Sequence, residues 1–260
     1  MSITTPAAIA WNELHSSDRK KAESFYHTLF GWTSTPVEMS PEYTYHLLNR
    51  ADTGQMFAGS HQQGADEAGQ PSFWLTSLGT NDVDTITARA ADIGATVIME
   101  PMDIPGTGRF SLLSDPQGAV FSVLSYSDGG AAPDTGEGPG CIVWHELVTS
   151  DPDASGAFYA SLFGFDYKTV DMGEMSARVL EQDGSGFADV MAKPTPEAPD
   201  AWVFYVEVRN AQETADLAVK SGGAVVAPTM ALPPIGTVAW LADPTGAVFG
   251  IMQPSDPAVQ

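Results

Sequence analysis

Trp11-Asn12-Glu13-Leu14, Phe25-Tyr26 and Leu29-Phe30-Gly31-Trp32 return as Trp144-His145-Glu146-Leu147, Phe158-Tyr159 and Leu162-Phe163-Gly164-Phe165, each 133 residues further on. Downstream the recurrence continues at an offset of 128. Trp74 pairs with Trp202, Asp115-Pro116 with Asp243-Pro244, Gly118 with Gly246, and Ala119-Val120-Phe121 with Ala247-Val248-Phe249. Constant offsets over so many positions mark one module written twice. The second copy is five residues shorter, the loss falling between Trp32 and Trp74. The copies are an internal control: a residue in only one of them cannot be needed by the fold they share.

The chain divides into a first module over 1–126, a Gly/Pro-rich acidic linker over 127–140 (ending APDTGEGPG) and a second module over 141–260. Each module, at roughly 125 residues, is large enough to bury its own core. Ile9 to His15 alternates and predicts a strand. Ser17-Asp18 offers a cap for a helix over Arg19 to Phe30, closed by Gly31, with Ala22, Phe25, Tyr26, Leu29 and Phe30 as one apolar stripe. Strands follow over 37–50, 55–60 and 73–78, then a helix from Asp82 to Ile93 and a strand from Thr96 to Glu100. A final hairpin turns at Asp115-Pro116-Gln117-Gly118. The second copy repeats this, so each module reads βαβββ twice, an α+β pattern. The Pro-rich stretches Pro101 to Gly108 and Pro228 to Gly236 read as lids over the sheet or as plain turns.

Hydrophobic residues make up 43% and charged residues 17%, the balance of a folded protein. Acids outnumber bases 33 to 11, a net charge of −22, which repels nucleic acid and anionic membranes and leaves a cationic ligand open. Cys141 is the lone cysteine, so no internal disulfide forms; it reads as a small buried strand residue, and the chain suits a reducing cytoplasm. No signal peptide and no membrane span is legible. Nucleotide and nucleophilic-serine fingerprints are missing too.

The element order, with F-Y-x-x-L-F-G-W after the first helix and D-P-x-G-x-x-F in the last hairpin, resembles the vicinal oxygen chelate superfamily of glyoxalase I, bleomycin-resistance proteins and extradiol dioxygenases. The likeness runs from about Ala8 to Gln253. It implies two tandem glyoxalase-like modules, each of paired βαβββ units forming a curved mixed sheet around a cavity. More narrowly, the chain is similar to tandem glyoxalase-like proteins of actinobacteria, some of them labelled hydroxylases of aromatic polyketide pathways. The resemblance also implies where metal ligands would stand: opening the first strand, opening the strand after the midpoint, and four residues past the D-P-x-G glycine. Those places hold Trp11, Trp74 and Ser122 in copy one and Trp144, Trp202 and Gly250 in copy two. An indole N–H cannot ligate a metal, so the expectation is no metal and no cofactor. A cluster of Glu13, His15 and His46 is the one alternative metal set considered.

Two roles stay open for Trp11, Trp74, Trp144 and Trp202: walls that stack an aromatic ligand, or plugs that extend the core. Glu13 and Glu146 follow a tryptophan by two residues, on the same strand face. On a half-buried face a raised carboxyl pKa would suit general base chemistry; a structural hydrogen bond is the other reading. His15 joins them as a candidate base. Tyr45, His46, Phe57, Tyr205, Phe187 and Met191 are the remaining candidates for binding substrate, although Tyr45 and His46 cannot share one strand face.

The sequence thus supports a metal-independent enzyme that works by acid/base chemistry on a hydrophobic, polyketide-like aromatic. Hydroxylation or cofactor-free oxygenation and aldol or dehydration steps are the chemistries considered. A non-catalytic binder that sequesters a drug, as bleomycin-resistance proteins do, is the alternative, and a metal-dependent glyoxalase or extradiol dioxygenase the third reading. The expected partner is a small molecule, with no nucleic acid or membrane, bound by a monomer or homodimer.

Overall fold

The computed structural model describes residues 7–40, 43–67, 69–127, 136–171 and 176–255. Most of the expected linker, residues 128–135, lies outside the described residues.

The first module runs β1 (Ile9–Ser16), α1 (Arg19–Phe30), β2 (Thr33–Ser40), β3 (Tyr43–Asn49), β4 (Met56–Gln62), a 3-10 turn (Ala65–Glu67), β5 (Phe73–Gly79), α2 (Val83–Asp92), β6 (Thr96–Ile104), β7 (Gly108–Ser114) and β8 (Val120–Tyr126). The second repeats it: β9 (Ile142–Thr149), α3 (Pro152–Phe163), β10 (Asp166–Asp171), β11 (Ser176–Gln182), β12 (Ser185–Ala192), β13 (Ala201–Glu207), α4 (Ala211–Lys220), β14 (Ala224–Leu232), β15 (Gly236–Ala242) and β16 (Val248–Pro254). Each module owns one eight-stranded curled sheet, ordered β2-β3-β4-β1-β5-β8-β7-β6 and β10-β11-β12-β9-β13-β16-β15-β14. Within a sheet β1 runs parallel to β4 and β5 to β8, while the hairpin pairs are antiparallel. The sheet is therefore mixed, as the paired βαβββ pattern implies.

Local chemistry explains the helix ends. Asp18 caps α1 by accepting from the Lys21 N–H at 3.1 Å, leaving one fewer orphan donor in the first turn. Gly31 ends the helix in the left-handed region, φ 73°, where only glycine is free of a Cβ penalty.

Packing divides the chain into two compact units: Met1–Trp11, Leu75–Pro133 and His145–Val203 in one, Asn12–Trp74, Asp134–Trp144 and Phe204–Gln260 in the other. Each unit thus joins the first half of one sequence module to the second half of the other. Their cores show the exchange. In one, Leu14, Tyr26, Trp32 and Trp74 pack with Phe204, Phe249 and Ile251. In the other, Leu147, Phe158, Tyr159 and Trp202 pack with Leu78, Leu113 and Phe121.

The repeated motifs are the wiring of those cores. Asp115 Oδ1 accepts from the backbone N–H groups of Gln117, Gly118 and Ala119 at 3.0, 2.8 and 2.9 Å. Its Oδ2 accepts from the Tyr159 hydroxyl at 3.2 Å, which in turn accepts from Trp202 Nε1 at 3.0 Å. In the other unit the Tyr26 hydroxyl accepts from Trp74 Nε1 at 2.8 Å and feels the charge of Asp243, whose Oδ1 binds the Thr245 and Ala247 N–H groups. Burial first, then the aspartate, pushes both tyrosines far above their ordinary pKa, so they stay neutral donors. The F-Y, Trp and D-P-x-G signatures are therefore three parts of one buried relay, and each relay draws its tyrosine and its aspartate from different sequence modules.

The Pro-rich stretches form edge strands and the turns that follow them, at 105–107 and 233–235, rather than lids. Pro101 lies within β6 and Pro228 within β14, the outermost strands of their sheets, each with bulged register against its hairpin partner. An edge strand tolerates proline because its outward N–H has no ladder partner to lose. Cys141 is buried, as expected of a packing residue, but it lies in the bend just before β9 rather than within the strand.

Candidate functional site

Strand β1 alternates in burial: Ala10, Asn12, Leu14 and Ser16 are buried while Trp11, Glu13 and His15 are half-buried on the opposite face. Leu14 enters the core with Tyr26 and Trp74, so Glu13 and His15 face away from α1. Strand β4 runs parallel beside β1, with Gly59 opposite Glu13 and His61 opposite His15. Strand β3 adds Tyr43 and Tyr45, two residues apart and hence on one face.

Seven side chains of one compact unit meet there. The Tyr45 hydroxyl donates a short hydrogen bond to Glu13 Oε2. Glu13 Oε1 stands 2.8 Å from His15 Nε2. That contact is off the line of an N–H···O bond, so neither ring nitrogen of His15, both buried, has a hydrogen-bond partner among the described residues. The His15 ring stacks on Phe73, centroids 4.7 Å apart and nearly parallel, and lies 5.0 Å from the His61 ring. His61 Nδ1 is 3.0 Å from the Tyr43 hydroxyl and its Nε2 is 3.1 Å from Glu67 Oε2. Glu67 Oε2 also accepts from the Gly64 N–H at 2.9 Å, and its Oε1 lies 3.8 Å from His15 Nδ1.

The electrostatics correct one expectation. Burial pushes the Glu13 carboxyl up, but His15, the Tyr45 hydroxyl and His61 outweigh it, and the net direction is below the usual carboxylate value. Glu13 is an ionised carboxylate at neutral pH, not the acid of raised pKa that a half-buried apolar face suggests. Glu67 follows the same logic: burial raises it, and the Gly64 N–H and His61 bring it below its ordinary value. Burial, with the charges of Glu13 and Glu67, pushes Tyr43 up to about 12.

The other candidates are placed elsewhere. Trp74 and Trp202 lie on the core side of their strands as donors to Tyr26 and Tyr159, which is the plug role rather than the wall role. Trp11 and Trp144 are half-buried on β1 and β9. His46 shares the face of Leu48, turned toward α1; its Nδ1 is 3.0 Å from Ser34 Oγ and 4.0 Å from Glu23. Burial and then Arg19 lower its pKa. The proposed Glu13–His15–His46 grouping therefore does not form, because His46 and Tyr45 point oppositely along β3. Phe57 is core, edge-on to Trp32 at 4.7 Å. Phe187 packs edge-on to Phe165 at 4.8 Å. The Tyr205 hydroxyl accepts from Trp240 Nε1 at 2.6 Å, and its ring lies where a side chain at Gly250 would stand, within 2.4 Å of a Cβ there. Glu146 is buried on β9 opposite Asp189, and Met191 opposite Val148. A hollow of about 340 Å³ lies on the α1 side, lined by residues that include Glu23, His27 and Trp32.

Glu67 and Phe73 escaped the sequence reading. Glu67 sits on a 3-10 turn in a Gly/Asp/Gln-rich loop, where no periodicity assigns a face. Phe73 could have been found, since it precedes Trp74 by one and so must face the opposite side of β5.

Residues 8–123 match the family model of the Glyoxalase/Bleomycin resistance protein/Dioxygenase superfamily. The chain is 32% identical over 251 residues to CFP32 of Mycobacterium tuberculosis (strain CDC 1551 / Oshkosh), covering 94% of each chain. It is 31% identical over 264 residues to the anthracycline biosynthesis protein DauV of Streptomyces sp. (strain C5), covering 97% of this chain and 95% of DauV. Among solved structures it is similar in fold to the Mn(II)-bound glyoxalase from Novosphingobium aromaticivorans, with a TM-score of 0.63 at 16% identity over 98% of this chain and 85% of that one. The chain belongs to the glyoxalase/bleomycin resistance/dioxygenase superfamily, as a tandem of two modules of that class.

A metal at the superfamily's ligand positions does not fit the residues present. Trp74 and Trp202 have their only polar atoms engaged as donors to tyrosines. Ser122 Oγ is bound to Ser77 Oγ at 2.5 Å, and Gly250 has no side chain and is covered by Tyr205. Among the described residues no helix is long and apolar enough to cross a membrane.

Proposed function

We propose that this chain is an enzyme that moves protons on a hydrophobic, polyketide-like aromatic small molecule, without a metal at the superfamily's ligand positions. One observation carries the reading: an ionised Glu13 held by Tyr45 and flanked by His15, whose ring is stacked on Phe73. Carbon acids of polyketide type, with a C–H between two carbonyls, lose a proton to a carboxylate without needing a strong base. Glu13 is the acceptor. Once protonated it no longer needs the Tyr45 hydrogen bond, and the Tyr45 O–H can turn to the enolate oxygen. That enolate is the common starting point for aldol closure, dehydration, or addition of dioxygen to a hydroperoxide that then loses water to leave a new carbonyl, the substrate itself being the reductant. The kinship with a protein named for anthracycline biosynthesis supports the substrate class. The net charge of −22 supports a small-molecule partner over nucleic acid or membrane, for a monomer or homodimer in the cytoplasm.

The test is solvent-deuterium uptake into aromatic polyketides bearing an acidic C–H, using chelator-treated protein. The wild-type chain is expected to catalyse exchange, and Glu13→Gln to slow it by roughly 100-fold or more, the usual worth of a positioned base. Exchange equal in Glu13→Gln removes the assignment. Tight binding of unaltered ligand with no exchange replaces the enzyme by the second reading, a non-catalytic or drug-sequestering module.

A further inference from the structure

His15, His61 and Glu67 stand at none of the superfamily's ligand positions, yet one nitrogen of each imidazole and one oxygen of the carboxylate lie within 4.8 Å of one another. We propose that His15 Nδ1, His61 Nε2 and the Glu67 carboxylate bind a divalent first-row transition-metal ion.

Three features carry this. First, the donor set is two imidazoles and one carboxylate, which suits zinc, iron or cobalt and leaves positions open for water or ligand. Its spacings are already short: 3.1 Å from His61 Nε2 to Glu67 Oε2 and 3.8 Å from His15 Nδ1 to Glu67 Oε1. Second, His15 Nδ1 is buried and has no hydrogen-bond partner among the described residues, although it is aimed at Glu67. A buried imidazole with an unmade bond is costly, and a cation would complete it. Third, the outer contacts are those a ligating histidine uses. The second nitrogen of each imidazole faces its own partner: His15 Nε2 faces Glu13 at 2.8 Å and His61 Nδ1 the Tyr43 hydroxyl at 3.0 Å. The Tyr43 bond fixes the His61 tautomer and leaves its Nε2 lone pair for the metal, while the negative charge of Glu13 beside His15 Nε2 favours the proton on that nitrogen and leaves Nδ1 free. Glu67 is fixed as well, by the Gly64 N–H on its turn.

The cluster is also rigid where it needs to be. His15 and His61 are opposite residues of two parallel strands, and Phe73 stacks under the His15 ring. Only Glu67 comes from a turn, so binding asks for a small movement of one carboxylate: away from its hydrogen bond with His61 and toward the shared ion. The alternative is a metal-free histidine–carboxylate network, which would be satisfied by the His61–Glu67 pair alone.

The inference stands apart from the proton-transfer reading, which uses Glu13 and Tyr45 and is judged by exchange in chelated protein. This one is judged by cation binding with no substrate present. Chelator-treated full chain is titrated with Co2+, reading visible d–d bands and calorimetric stoichiometry, with Zn2+ as competitor. One equivalent is expected to bind with N/O ligation and to be displaced by Zn2+. Glu67→Gln and His61→Asn should each weaken it about 100-fold, and Tyr43→Phe about tenfold, the usual cost of losing an outer partner. His46→Gln, on the opposite face of β3, should leave it unchanged. The imidazole nitrogen resonances of His15 and His61, and of no other histidine, should shift with Zn2+. Absence of a stoichiometric band, equal uptake by Glu67→Gln and wild type, or equal competition by Mg2+ would each overturn the site. Glu67→Gln alters a loop side chain that is a quarter exposed, so its folding is secure if His61→Asn proves unstable.

Discussion

The same sheet face is furnished differently in the two modules. In the first, the row across β1 and β4 through Glu13 and Gly59 is followed by a row through His15 and His61. In the second, the matching rows across β9 and β12 are Glu146 with Asp189 and Val148 with Met191. Tyr45 on β3 corresponds to Ala177 on β11, and Phe73 to Ala201. His15, His61 and Tyr45 are thus replaced by small or apolar side chains, whereas the acid of the first row remains. The Asp–Tyr–Trp groupings, by contrast, recur in both compact units, with Tyr159 hydrogen-bonded to Asp115 and Tyr26 coupled to Asp243 through charge. Duplication kept what the fold needs and let the chemistry diverge, so one-sided residues are the ones to read for function.

The comparison can be broken first in the shared part. Trp74→Ala and Trp202→Ala are each expected to cost about 3–5 kcal/mol, from the lost ring and the unpaired tyrosine behind it. Urea denaturation checks this; costs that differ strongly between the two would show that the relays are not equivalent. Next comes the diverged row. Val148 is 3% exposed, so Val148→His buries an unpartnered imidazole at about 2–3 kcal/mol, measured the same way. A neutral outcome would mean that the second face already tolerates polar groups.

A third difference is His145, which stands where the first module has Asn12. Burial lowers its pKa from 6.5 to about 3. Between those values the unfolded chain carries one more proton than the folded one, so stability is full above pH 6.5 and falls as pH drops. The slope is about 1.4 kcal/mol per pH unit, or about 2 kcal/mol by pH 5. Melts of wild type and His145→Asn across pH 5–7 should show the variant less sensitive to acid; identical slopes would refute the assignment. The smallest effect is expected of Tyr45→Phe. Glu13 is half-buried and water can replace part of the lost bond, so about 1 kcal/mol of stability is at stake, against a larger loss of deuterium exchange. A stability loss without any loss of exchange would make Tyr45 purely structural.

Much of this was legible in the sequence. The offsets of 133 and 128 gave the tandem, the alternation of β1 put Glu13 and His15 on one face, and the tryptophans at the ligand positions argued against a metal there. What was not legible has a physical cause in each instance. Trp74 reads as a wall or a plug because period two assigns relative faces but not which face is the core; its bond to Tyr26 decides that. Glu13 reads as a raised carboxyl because burial is visible in a pattern, whereas His15, Tyr45 and His61 converge on it only in space.

By itself, then, the sequence determined the repeat, the order of strands and helices, and which residues on β1 share a face, since these depend on local periodicity and capping. Only the tertiary structure decided that Tyr26 answers to Asp243 and Tyr159 to Asp115, and that His61 and Glu67 come to stand beside His15. Those meetings depend on strand register and on the exchange of halves between modules, and neither leaves a periodic trace along the chain.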